Sequence, residues 1–89
     1  MRYALIGMDT VWVIGMDREA TIAEARGLLR FTDHEWEALA ADGRTGDPRD
    51  EGTFRIVECS NEFFDHVVRH GGTNFAWCEV DGVLQLRRA

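Results

Sequence analysis

The chain contains no lysine: all ten of its basic residues are arginine. A GC-rich genome accounts for that bias, and the consequence is chemical. Without a lysine amine, Schiff-base catalysis and the phosphate-loop lysine are both closed to this protein. Serine occurs once, at Ser60, where its position explains it as a helix cap. Two cysteines, Cys59 and Cys78, are too few for a disulfide framework, and in a reducing compartment they are expected as free thiols packed as small apolar side chains. Long apolar runs are missing too. Tyr3 to Ile6 and Val11 to Ile14 fall far short of the ~20 residues of a membrane helix, and Asp9 interrupts them, so no membrane association is expected. No basic start leads into an unbroken apolar stretch with a small-residue cleavage site, and the expected location is cytoplasmic.

What is present describes a small globular protein. At 89 residues, one domain is expected, burying about 60 to 65% of the surface of the unfolded chain. A 45% hydrophobic content with three Trp, five Phe and a single Pro is that of a folded core rather than a disordered chain. The net charge of −6 is unevenly placed, because residues 33 to 51 carry seven acids against Arg44 and Arg49, while both flanks are nearly neutral. Such a balance argues against direct binding to nucleic acid, whose phosphates need basic residues, and favours a basic partner or simple solubility.

RYALI (2–6) and VWVI (11–14) read as a β-hairpin, the second run covered on both faces because it has no polar member. The repeated Ile-Gly-Met-Asp at 6–9 and 14–17 is punctuation, each Gly marking a strand exit and Asp17 capping a helix. That helix, 18 to 30, puts Ile22, Ala25 and Leu29 on one stripe with Thr21 and Leu28 beside it. In FTDHEWEALAADG (31–43), Thr32 and Glu35 form a capping box, Phe31 and Trp36 a hydrophobic staple, and Gly43 a stop. Trp36, Leu39 and Ala40 then make the buried stripe. GRTGDPRDEGT (43–53) is a surface loop, long for so small a domain. FRIVEC (54–59) is a strand, SNEFFDHVVRH a helix capped by Ser60, and NFAWCEV and VLQLRR a hairpin about Asp81-Gly82. The expected class is α+β in the order ββααβαββ, a small mixed sheet with helices on at least one face. The strands at 54–59 and 74–80 are expected to run parallel through a crossover helix.

Cys59, His66, His70 and Cys78 have the spacing C-x6-H-x3-H-x7-C, which invites a zinc reading, the two histidines standing one helical turn apart. Cys59 precedes the helix and lies about 10 Å below His66 along its axis, too far for bonds of ~2.0 to 2.3 Å. The expectation is therefore no metal, with the histidines flanking a stripe of Phe63, Phe64, Val67 and Val68. Cys59 before a helix start could carry a lowered thiol pKa, but no oxyanion loop adjoins it, and no catalytic residue is assigned. Trp12, Trp36 and Trp77 are candidate interface anchors that core packing also explains.

LLRFTDHEWEALAADGRTGD, about a fifth of the chain, resembles the FT-x-x-EW-x-AL pattern of a family of small actinobacterial proteins of unknown function, some linked to developmental regulators. In overall profile, a short, acidic, single-domain α+β chain without catalytic signature, the protein is similar to phage-encoded inhibitors of bacterial defence, the anti-CRISPR proteins in particular. That likeness implies a non-enzymatic module that needs no cofactor and docks on a nucleic-acid-handling protein or nucleoprotein complex. Its carboxylates, at Asp33, Glu37, Asp42, Asp47, Asp50 and Glu51, would occupy sites that otherwise hold phosphates. The alternatives are a structural or regulatory homodimer joined through a sheet edge or an exposed Trp, and, third, a metal or thiol protein using His66, His70 and Cys78.

Overall fold

The β-branched and aromatic runs at the start of the chain form β1 (Arg2–Gly7) and β2 (Thr10–Gly15), which pair antiparallel. They are followed by α1 (Arg18–Arg26), α2 (Asp33–Asp42), β3 (Arg44–Thr45), β4 (Phe54–Cys59), α3 (Asn61–His70), β5 (Trp77–Val80) and β6 (Val83–Leu86). The structure is a computed structural model that describes residues 1–7, 10–46 and 53–87. The α+β order is the expected one with a single addition, β3, inside the segment read as pure loop. Thr45 of that short strand is 4% exposed, opposite Phe54.

The six strands form one mixed sheet in the order β2-β1-β4-β6-β5, with β3 beside β4. Successive side chains of a strand point to opposite faces, and each face here has its own core. Ala4, Ile6, Val57, Cys59 and Leu84 pack with Phe63 of α3 on one side. Leu5, Val13, Phe54 and Ile56 pack with Ala25 of α1 and with Trp36 and Leu39 of α2 on the other. Helices therefore cover both faces. The apolar run of β2, Val11 to Ile14, serves both cores through a bulge: Leu5 stands opposite Val13 and Ile6 opposite Val11, leaving Trp12 as the extra residue. The Trp12 indole N–H donates to the Gly7 carbonyl at 3.0 Å and its ring lies 6.0 Å from that of Phe54. A Cβ on Gly7 would come within 2.6 Å of the Phe54 ring, so a larger residue at this corner must displace that ring.

The helix ends follow local chemistry. Asp17 accepts from the Ala20 N–H at 2.7 Å and Ser60 from the Phe63 N–H at 3.1 Å. In α2 both halves of the capping box are made, Glu35 N–H to Thr32 Oγ1 at 3.2 Å and Thr32 N–H to Glu35 Oε1 at 3.0 Å. The staple rings of Phe31 and Trp36 stand 4.8 Å apart, and Gly43 closes the helix with φ 74°. The Asp81-Gly82 turn has the two positive φ values that its hairpin demands.

Several expectations need correction. The parallel neighbour of β4 is β6, not β5, which runs antiparallel to β6 as the outermost strand. The reason is chemical: Leu84 of β6 is wholly buried, whereas β5 carries Glu79, and a charge is better placed on an edge. Helix α1 stops at Arg26 because Gly27, a poor helix former, follows, and Leu28 is left 61% exposed instead of beside the stripe. Ala40 is exposed on α2, and Val68 points to solvent on α3. The strand expected from residue 74 begins at Trp77, with Phe75 packing from the preceding loop onto Phe63 at 5.6 Å.

Candidate acidic site and the notch beside strand β4

Three of the six carboxylates singled out from the sequence lie on α2. Asp33 is its first residue and Glu37 stands one turn on, so the two share a side of the helix, and both are exposed. Asp42, the last residue, is also exposed, but nine positions from Asp33 places it on the opposite side at the far end. Among the described residues none forms a side-chain hydrogen bond or ion pair with Asp33, Glu37 or Asp42. Asp47, Asp50 and Glu51 lie outside the described residues. The structure thus joins Asp33 and Glu37 and separates Asp42 from them.

Asp42 contributes instead to a site that sequence reasoning missed. Along one edge β4 is paired throughout with β1, but its other edge is shared, Phe54 and Arg55 pairing with β3 and Glu58 and Cys59 with β6. Between these two partners opens a notch of about 640 Å³, lined among others by Tyr3, Asp42, Arg44, Arg55, Glu58 and Glu79. Arg55 and Glu79 are joined across it at 3.0 Å. Tyr3 is the cross-strand neighbour of Glu58, which is half-buried, with its Oε1 closed off from solvent and no donor in reach among the described residues. The one hint in the sequence is register: Glu58 falls in step with Phe54 and Ile56, placing a carboxylate on a strand position that otherwise points into the core.

The metal and thiol alternatives fare differently. His66 and His70 do stack on one side of α3, with ring centroids 4.8 Å apart, and Phe75 lies 4.5 Å from His66. Cys78, however, is paired with Gln85, while its neighbours Trp77 and Glu79 pair with Leu86 and Leu84 of the α3 face. Cys78 therefore points to the opposite face of the sheet from the histidines. No three His, Cys, Asp or Glu among the described residues gather as a metal site would require. Cys59 is buried, and burial pushes its thiol up to about 11, with Glu58 adding to the rise and Arg2 opposing it. The lowering that a helix start could give is outweighed by desolvation.

None of the three tryptophans is fully exposed. Trp36 is 6% exposed under the Arg26 guanidinium, and Trp12 and Trp77 are half-buried against Phe54 and Phe63. No helix among the described residues is long and apolar enough to cross a membrane. No family model matches the chain, and no curated protein or solved structure matches it either.

Proposed function

We propose that this chain is a non-enzymatic binding module whose acidic side, built on α2 and continued by the segment after it, docks on a basic surface of a nucleic-acid-handling protein. The observation that carries the reading is the state of Asp33 and Glu37: both exposed, both without a partner among the described residues, on a helix already secured by its capping box, staple and left-handed stop. Apart from the favourable place of Asp33 in the first turn, the fold does not use these charges. In an inhibitor of the anti-CRISPR type they would compete with phosphates for arginine and lysine, a role in which carboxylates form charge-assisted hydrogen bonds. The test is capture of a partner from a bacterial lysate, identification of the retained protein by mass, and competition by nucleic acid. Release of the retained protein by added DNA or RNA is the expected result, and retention undisturbed by either contradicts competition.

A second reading is favoured by β5, at one end of the sheet, whose outer edge has no strand beside it among the described residues and whose Val80 is 48% exposed. Two chains pairing edge to edge would cover it. Light scattering that returns twice 10.1 kDa at micromolar concentration selects the homodimer, and a mass of 10.1 kDa retires it.

A further inference from the structure

We propose that the notch on the outer edge of β4 is a binding site for a guanidinium group, the side chain of an arginine on the protein partner. The identity of that partner rests on the docking reading above; the site itself rests on separate observations. Of the five charged groups that line the notch, Arg55 and Glu79 are already committed to each other at 3.0 Å. Among the described residues that leaves two uncommitted carboxylates, Asp42 and Glu58, against one uncommitted cation, Arg44. Arg18, behind the end of α2, donates to the Leu39 carbonyl at 3.3 Å and is not one of the residues that line the notch. The balance favours a cation and repels an anion.

Glu58 makes the demand specific. One of its oxygens is removed from water with no donor to replace the lost hydration, a state that is costly for a carboxylate until a donor or counter-charge arrives. A guanidinium fits better than an ammonium, because its planar fork of five N–H groups can serve two acceptors at once and its face stacks on an aromatic ring. The notch offers Asp42 and Glu58 as acceptors and the half-buried Tyr3 as the ring. At about 640 Å³ and open to solvent, it has room for a side chain entering from outside.

The experiment is a titration of the isotope-labelled protein with N-acetyl-arginine amide, followed by backbone amide shifts, with N-acetyl-lysine amide and inorganic phosphate as comparators. The expected result is saturable movement of Tyr3, Gly43, Val57, Glu58 and Gly82, strongest with the arginine amide. Glu58→Gln should weaken that binding about tenfold or more, and Asp42→Asn by a smaller factor. If Glu58→Gln fails to fold, the exposed Asp42→Asn variant carries the test alone. Absence of shifts at millimolar concentration, shifts that survive the substitution, or a stronger response to phosphate would each overturn the proposal. The combined change Asp33→Asn with Glu37→Gln separates this site from the docking reading. It should leave arginine-amide binding untouched while weakening partner capture; unweakened capture sinks the docking reading alone, and missing arginine-amide binding sinks the notch alone.

Discussion

At the scale of single residues, burial outweighs the local setting of Cys59. The thiol stands next to Ser60, the cap of α3, but it lies in the core beneath Phe63 and its pKa is raised from 9.0 to about 11. Iodoacetamide at neutral pH should therefore leave Cys59 unmodified in the native protein and label it once denaturant is added. Labelling of native Cys59 at the rate of a free peptide thiol would contradict the burial. The same shift links stability to pH. Below pH 9 the thiol is protonated in both states and contributes no slope. Between 9 and about 11 the unfolded chain ionises first, so stability falls as pH rises through that window. Cys59→Val, close in size, should remove this share of the alkaline loss, measured as the difference in melting temperature between pH 8.5 and 10.5. Gly7 supplies a second residue-level prediction. A methyl there meets the Phe54 ring, and Gly7→Ala should cost about 1 to 3 kcal/mol by overpacking, read from a urea midpoint.

Among the elements, α2 is the one whose ends were written most fully in the sequence. Thr32, Glu35, Phe31, Trp36 and Gly43 each do what their spacing announced, because capping boxes, staples and left-handed stops are made within a few residues of chain. Thr32→Ala should remove about 1 kcal/mol and lower the melting temperature by roughly 4 to 8 °C, and an unchanged melting curve would show that the box adds nothing in this context. Where partners are distant the sequence was less informative. The pairing of β4 with β6 rather than β5, and the existence of β3, depend on which strand best fills a slot in the sheet, a choice made by tertiary packing. For the same reason the notch was invisible from the sequence. Its walls come from residues 3, 42, 55, 58 and 79, which only the strand order brings together. The carboxylates of α2 were legible as solvent-facing, but the separation of Asp42 from Asp33 and Glu37 follows from helix geometry at the end of the element.

For the whole molecule, the deciding quantity is the net charge of −6 and its concentration in residues 33 to 51. Two neutralised variants divide that segment: Asp33→Asn with Glu37→Gln on α2, and Asp47→Asn with Asp50→Asn and Glu51→Gln in the segment that follows. Surface substitutions of this kind usually change stability by less than ~0.5 kcal/mol each. Asp33 is the exception, since a carboxylate in the first turn of a helix contributes about 0.3 to 1 kcal/mol. Both variants should therefore stay within about 1.5 kcal/mol of the unaltered protein. Partner capture should fall much further than stability. Charges at the rim of an interface act mainly on the rate of encounter and its salt dependence, and a desolvated pair that loses one member costs about 2 to 5 kcal/mol. Association rates measured between 20 and 500 mM salt should drop steeply for the unaltered protein as the Debye length shrinks from about 20 Å to under ~5 Å, and should flatten in both variants. If both variants retain the partner at low salt as well as the unaltered chain does, acidic docking is wrong, and the outer edge of β5 becomes the surface to pursue.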